Sequence, residues 1–273
     1  MSDLLNKTVG SIFAISIAFL HVVSYVHGQS SSVLRVMSYN IHHGEGSDGK
    51  VDLERQAAVI RQVDPDIVFL QEVDEKTKRT GGIDQTSVLG ELTKMHGRFA
   101  HQLDYEGGRY GQAILSKKLL PELQVHWLPG MPDRERRIAG AISLEWNDHP
   151  LVFVTTHLHH NQNELRLQQA QHLVEIFRKT PEYRDRLIVL GGDMNAVPSS
   201  NPIQVLSQSF GNAASSNNES PTFPVSKPER QLDYLFFAPS GRFRVRSWKV
   251  IDERIASDHL PVVAELAIIP KTP

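Results

Sequence analysis

The sequence predicts an α/β domain of helices layered on sheets whose strands are largely antiparallel or mixed. Three observations lead to that class. Nine apolar or β-branched runs of strand length recur between residues 33 and 269. Amphipathic helical patterns lie between only some of them, and several runs in the second half follow one another with no helix between. A strictly alternating parallel sheet needs a crossover, usually helical, between successive strands, so the pattern argues against one. No long Pro/Gly/Ser linker, fixed-period repeat or low-complexity tract interrupts the span from Val33 to Ile269, which therefore reads as a single domain.

Residues 1–28 are set apart from that domain. Lys7 stands in a short polar start, an apolar stretch runs from about Val9 to Val26, and Gly28 precedes Gln29 and a serine run. This is the pattern of a signal peptide cut between Gly28 and Gln29, which predicts export to a periplasmic or extracellular space and a mature domain over 29–273. A membrane anchor over 9–26 is the alternative.

Next, VLRVMSY reads as a strand and VDLERQAAVIRQV as a helix, with Leu53, Ala57, Ile60 and Val63 on one face behind an Asp52 cap. DIVFLQ, GQAILS, IAGAISLEW and LVFVTT read as strands. NELRLQQAQHLVEIFRKT groups Leu167, Ala170, Leu173, Val174 and Phe177 on a helix that stops before Pro181. RLIVL, LDYLFF, FRVRSWKVI and PVVAELAII complete the strands. Residues 211–231, GNAASSNNESPTFPVSKPERQ, read as a long surface loop, a kind of segment that often carries function.

Composition narrows the chemistry. The formal net charge is −2 over 273 residues, so no global basic field exists to drive non-specific nucleic-acid binding, and any phosphate recognition is local. Cysteine is absent, which excludes disulfides, thiolate metal sites, a cysteine nucleophile and lipid attachment at a cysteine.

Polar residues terminate the apolar runs repeatedly: Asn40 after VLRVMSY, Glu72 after DIVFLQ, His157 after LVFVTT, and Asp193 and Asn195 after LIVLGG. Strand ends are where α/β folds build sites, because the frame is rigid and the loops beyond it vary freely. Singly, each residue has an ordinary explanation: Asn40 as a turn former, His157 as a satisfied core histidine, Asp258 and His259 as part of a capping loop. Jointly, acids, amides and histidines at so many strand boundaries point to one site. Glu72, Asp193 and Asp258 with Asn40 and Asn195 carry the oxygens that hold a hard cation such as Mg²⁺ or Mn²⁺. Asp193 and Asn195 are expected to share one face of a strand end, and Gly191 and Gly192 to admit a backbone or a substrate.

Six short motifs stand in order across this span: SYN ending at Asn40, LQE ending at Glu72, TH ending at His157, GDMN at 192–195, LDY around Asp233 and SDH ending at His259. In that order the sequence resembles the endonuclease/exonuclease/phosphatase superfamily, which includes deoxyribonuclease I-like nucleases, abasic-site endonucleases, deadenylases, bacterial sphingomyelinases and inositol polyphosphate phosphatases. YNIHHGEGSDGKVDLER, RTGGIDQ, YGQAILSK and TFP with LDYLFF look like its exported bacterial branch. The resemblance implies a four-layer sandwich: two mixed, mostly antiparallel β-sheets packed face to face and flanked by helices. It also implies a metal-dependent phosphoesterase; the leading reading of the bond cut is a phosphodiester, with a monoester as the alternative. Glu72 matches the principal metal ligand, and Asn40 and Asp258 match positions that complete or adjoin the metal site. Asp193 matches the residue that orients or deprotonates the attacking water, and Asn195 the amide that holds that water or the developing oxyanion. His259, hydrogen-bonded by Asp233, matches a contact to the scissile phosphate, and His157 matches a second such contact. Relatives often carry Asp two residues after that last histidine, where this chain has His159 followed by His160.

Two other readings stand beside this one. His42, His43, His157, His159 and His160 suggest a zinc hydrolase, and the same fold without catalysis would be a binding module. The substrate is open between nucleic acid and a phospholipid or inositol-phosphate head group. DEKTKR at 74–79 and RERR at 134–137 put positive charge in two loops, and Trp127 and Met131 offer a pair of side chains to a lipid surface. Arg109 and Arg137 are further candidates for contact with substrate phosphate. No obligate protein partner is implied, and the expected state is a monomer.

Overall fold

The computed structural model of the protein describes residues 33–131, 135–214 and 220–270. The predicted signal over 1–28 and the alternative anchor over 9–26 lie outside the described residues, as do Arg134 and residues 215–219. No helix among the described residues is long and apolar enough to cross a membrane.

The chain runs β1 (Val33–Asn40), α1 (Leu53–Val63), β2 (Ile67–Glu75), α2 (Gln85–Thr93), β3 (His96–Tyr105), β4 (Gly108–Ser116), β5 (Gln124–Trp127) and β6 (Ile138–Trp146). It continues through β7 (His149–His157), α3 (Asn163–Val174), β8 (Leu187–Asp193), α4 (Asn201–Ser209), β9 (Gly211–Asn212), β10 (Asp233–Ala238), β11 (Phe243–Val250) and β12 (Val262–Ile268). The strands form two six-stranded sheets, ordered β11-β12-β1-β2-β4-β3 and β5-β6-β7-β8-β10-β9. Each sheet is antiparallel except for one pair, β1 with β2 and β7 with β8. Those are the two connections that contain α1 and α3, since a parallel neighbour requires a crossover.

Alternation along the central strands builds the layers. In β8, Leu187 and Val189 face the other sheet, whereas Ile188 and Leu190 pack with α3 and α4. In β2, Ile67 and Phe69 face inward, whereas Val68 and Leu70 pack with α1 and α2. Strands buried on both faces read as continuous apolar runs, which is how they appear in the sequence. Each large apolar side chain contributes about 2 kcal/mol on full burial, so the three interfaces, not helix propensity, hold the four layers together. The sandwich implied by the resemblance is the fold observed.

The Asp52 side chain caps α1 by accepting from the Glu54 N–H at 3.1 Å. In α3 the buried first-turn leucine is Leu165 and Leu167 is half-buried; beyond Val174 the helix widens into a π turn, Glu175–Lys179, that still buries Phe177 before Pro181. Segment 211–231 is more than a surface loop. Ala213, Ala214, Thr222 and Gln231 are buried, and the Phe223 ring packs on His259 at a centroid distance of 4.6 Å. At Gly191 a Cβ would lie 2.2 Å from Phe69 Cδ2 of the facing sheet, and at Gly192 it would lie 2.0 Å from the Thr156 carbonyl oxygen of β7. The two glycines thus admit a packed ring and a neighbouring strand, not a substrate.

Candidate active site

Strand parity sets what lies at the end of the space between the sheets. Leu34 and Val36 in β1, Leu151 and Phe153 in β7, Leu187 and Val189 in β8, and Leu235 and Phe237 in β10 all face inward. Continuing each strand by twos reaches Asn40, His157, Asp193 and Asp233. The inner face therefore turns from apolar to polar at one end of four strands. Register completes the row: His157 is paired with Asp193 across β7 and β8, and Asp233 is paired with Asp193 across β10 and β8. Beneath it, Gln71 is fully buried and donates to Thr155 Oγ1 at 3.2 Å, linking the two sheets.

Glu72 departs from this parity. By alternation it would face the helices, but a β-bulge between Leu70 and Val73, with Glu72 at φ +56°, turns its carboxylate toward Asn40. Asn40 Nδ2 donates to Glu72 Oε1 at 3.0 Å and to Asp193 Oδ2 at 3.2 Å, bridging the sheets. Asn195 reaches Asp193 by a different route from the expected strand alternation. β8 ends at Asp193, Asn195 sits at φ +48°, and its backbone N–H donates to Asp193 Oδ1 at 2.8 Å. A tight turn, not the pleat, brings the two together. The Asn195 side-chain amide donates to the Leu158 carbonyl at 3.1 Å and lies 2.9 Å from His157 Nε2.

Two histidines approach Asp193 Oδ2 with opposite electrostatics, His157 Nε2 at 3.4 Å and His259 Nε2 at 3.7 Å. Burial, reinforced by Arg137 and His259, holds His157 well below its ordinary 6.5. Burial also opposes charge on His259, but Asp233 and then Asp193 outweigh it and raise the imidazole to about 10. The Asp233 Oδ2 contact to His259 Nδ1 is 2.9 Å. Asp193 itself is pushed up to about 7 by burial, against the stabilising charge of His259. A carboxylate poised near neutrality beside a charged imidazolium is equipped to take a proton.

Asp258 is half-buried beside this row; Ser257, its neighbour, donates to the Asn40 carbonyl at 2.7 Å and accepts from the His259 N–H at 3.2 Å. Arg137 is 3% exposed, with Nη1 3.2 Å from His157 Nδ1 and 3.1 Å from Glu135 Oε1, so it belongs to the cluster. Arg109 does not join it: its partner is Glu75, and it lies over the Phe99 ring. Within DEKTKR, Asp74 takes Arg79 in a bidentate pair at 2.7 and 2.8 Å. Arg136 covers the Trp127 ring at 4.9 Å.

The five histidines also divide. His42 and His43 stand with Glu72, whereas His157 stands with Asp193 and His159 stacks on His160 at 5.2 Å, so no single five-histidine ligand set forms. The described residues offer two groups with donor atoms within 4.8 Å of one another: His42, His43 and Glu72, and Asp193, Asp233 and His259. In the second group His259 Nδ1 is already taken by Asp233. The first suits a divalent cation: a carboxylate held by one neutral amide, beside two imidazoles.

Sequence reasoning missed Arg166 and Gln85. Arg166, largely buried, donates to the carbonyls of His159 and His160 at 2.7 and 2.9 Å and lines a cleft of about 470 Å³ that adjoins Asn195. Its signal was an arginine on an otherwise buried helix face. Arg230 also lines that cleft, over the Phe223 ring at 5.0 Å.

A four-layer sandwich with acids, amides and histidines gathered at one end of its inter-sheet space is the architecture of a phosphoesterase. Residues 37–259 match the model of the Endonuclease/Exonuclease/phosphatase family, and the chain belongs to that family. Its members are hydrolases of phosphate esters and generally depend on a divalent metal. Among solved structures the chain is similar to an endonuclease/exonuclease/phosphatase from Beutenbergia cavernae DSM 12333, at 26% identity and a TM-score of 0.73, over 87% of this chain and 72% of that one. It is similar in fold to a mannosyl-6-phosphatase from Bacteroides thetaiotaomicron VPI-5482, at 18% identity and a TM-score of 0.70, over 86% and 100% of the two chains. The human Nocturnin catalytic domain, with a bound sulfate anion, is a further likeness of fold at 22% identity and a TM-score of 0.67, over 86% and 94%. No curated protein sequence matches the chain.

Proposed function

We propose that the chain is an exported, monomeric hydrolase that uses a divalent metal, Mg²⁺ or Mn²⁺, to cut a phosphodiester by attack of water. The observation that carries this reading is the convergence of His157, His259, Asn195 and Asn40 on one buried carboxylate, Asp193. The signal pattern at residues 1–28 supports export. Asp233, Asp193 and Asp258 act on the His259 imidazolium, and Arg137 adds a second cation to the cluster.

Asp193, near neutrality, accepts a proton from the attacking water while Asn195 holds that water in line. The water oxygen forms the new bond to phosphorus, the bond to the departing alkoxide breaks, and the alkoxide takes its proton from solvent. His259, charged and fixed by Asp233, offsets charge on the phosphoryl oxygens, and His157 stands beside it as a second contact to the phosphate. Glu72, beside Asn40 and Asp258, would hold the ion, which when bound supplies a Lewis acid for the phosphate. The polar cleft lined by Arg166, Asn195, Ser200 and Arg230 takes the part of the substrate beyond the scissile bond, a nucleotide or a lipid or inositol-phosphate head group.

The test is hydrolysis by chelator-treated, reloaded full-length protein of a bis-aryl phosphodiester, an aryl phosphate, DNA, RNA, sphingomyelin and phosphoinositides. Asp193→Asn and His259→Ala should each slow diester cleavage on the order of 10³-fold. Unchanged rates in both variants would overturn the assignment. Metal binding without cleavage of any ester would establish a binding module, and restoration by Zn²⁺ but by neither Mg²⁺ nor Mn²⁺ would establish the zinc hydrolase.

A further inference from the structure

The turn after β1 carries two histidines that the proposed hydrolysis leaves without a task. His42 and His43 both adopt positive φ, 46° and 44°, which folds the turn back toward the β2 bulge. Their rings meet edge to face at 4.5 Å, and donor atoms of His42, His43 and Glu72 lie within 4.8 Å of one another. His43 Nε2 is 3.5 Å from Glu45 Oε2, yet Nδ1 of His43 and Nδ1 of His42 are buried and have no hydrogen-bond partner among the described residues. Buried polar atoms without partners are costly, so two of them on adjacent histidines that cluster with Glu72 call for a ligand.

Asn40 is oriented against metal ligation. Its Oδ1 accepts the His42 N–H at 3.0 Å, while Nδ2 faces the carboxylates of Glu72 and Asp193. Reversing the amide would set its nitrogen against a backbone N–H and its oxygen against two carboxylates. With that oxygen already accepting one N–H, the donors grouped with Glu72 are the imidazole nitrogens of His42 and His43. Gln85 fixes their distance from it. Fully buried, it donates from Nε2 to the His43 carbonyl at 2.7 Å and accepts at Oε1 from the Asp74 N–H at 2.9 Å. One side chain thus ties the histidine turn to the strand that carries Glu72.

We infer that the ion at Glu72 is held by imidazole nitrogen from His42 and His43 as well as carboxylate oxygen, making the centre selective for a first-row transition ion over Mg²⁺. This rests on the reading of Glu72 as a metal ligand. Imidazole adds affinity for Mn²⁺, Co²⁺ and later ions, whereas Mg²⁺ favours oxygen donors and retains its waters.

The experiment titrates chelator-treated full-length protein with Mn²⁺, Co²⁺ and Mg²⁺ by calorimetry, and records the pulsed EPR spectrum of the Mn²⁺-loaded protein. Mn²⁺ and Co²⁺ should bind at least about tenfold more tightly than Mg²⁺, with ¹⁴N modulation on the Mn²⁺ signal. His42→Ala and His43→Ala should narrow the Co²⁺ to Mg²⁺ ratio about tenfold while circular dichroism stays unchanged. Equal affinity for the three ions, or a Mn²⁺ signal without nitrogen coupling in the unmodified protein, overturns the inference even if a variant fails to fold. Mg²⁺-supported hydrolysis without nitrogen coupling would remove this inference alone. Unaltered ion binding in Glu72→Gln would remove the metal assignment beneath it.

Discussion

Arg137 Nη1 lies 3.2 Å from His157 Nδ1, and both side chains are withdrawn from solvent. A guanidinium only donates, so Arg137 holds the ring through Nδ1, while the Asn195 amide nitrogen and Asp193 Oδ2 face Nε2 at 2.9 and 3.4 Å. Replacing Arg137 by Met releases the ring on its Nδ1 side. Diester turnover should fall about 10- to 100-fold, with kcat dropping more than KM rises, and Arg137→Lys should recover part of it. Steady-state kinetics on the three proteins would check this, and equal kinetics would show that Arg137 does not orient His157.

Asp233 contributes to His259 what Arg137 contributes to His157, with the opposite sign. Asp233→Asn preserves the shape but removes the charge that sustains the imidazolium. Hydrolysis should drop by at least about tenfold. In combination with His259→Ala the loss should be less than the product of the single losses, because the two residues act as a unit. A multiplicative double variant would mean that they act independently.

The bidentate pair between Arg79 and fully buried Asp74 anchors the loop after β2. Arg79→Met leaves that carboxylate with Thr77 Oγ1 at 2.6 Å but no cation, which should cost about 3 kcal/mol in urea unfolding. A cost under about 1 kcal/mol would mean that solvent reaches Asp74 freely.

His126 packs against Phe177 and Tyr183, with Nε2 3.1 Å from the Tyr183 hydroxyl oxygen, which donates in turn to Gln124. Burial lowers its imidazole from the ordinary 6.5. Its unfolded form therefore gains a proton first as pH falls, so the stabilisation is fully present above about 6.5 and is lost on acidification through the lowered value. Denaturant unfolding of wild type and His126→Gln should differ most at about pH 7.5 and least at about pH 5. A difference independent of pH would exclude this linkage.

Gly191→Ala should destabilise the fold by about 1–3 kcal/mol through contact with Phe69. Gly241→Ala, where an added Cβ meets nothing within 4 Å, serves as the control. Equal melting temperatures for the two variants would show that the sheets separate at no cost.

Strand ends carrying Asn40, His157, Asp193 and Asp233 were legible because buried strands write continuous apolar runs and the residue that stops each run is conspicuous. Their register was not. That His157, Asp193 and Asp233 form one row follows from hydrogen bonding between strands far apart in sequence. The Glu72 bulge and the Asn195 turn were hidden for another reason: each depends on a positive φ at a non-glycine residue, which tertiary contacts impose. β3, HGRFAHQLDY, escaped detection because an edge strand with one partner is half-exposed and polar. α2 escaped because QTSVLGELT carries a glycine and little amphipathic pattern.

The bulge at Glu72 makes one residue of chain length the difference between two proteins with the same architecture. Deleting Val73 would restore the regular pleat of β2 and point the acid at the helix layer. The sandwich would persist, while the carboxylate that Asn40 now bridges to Asp193 would be lost to that space. One codon in a strand thus decides whether the acid at this position meets the amide of Asn40 or the helix layer.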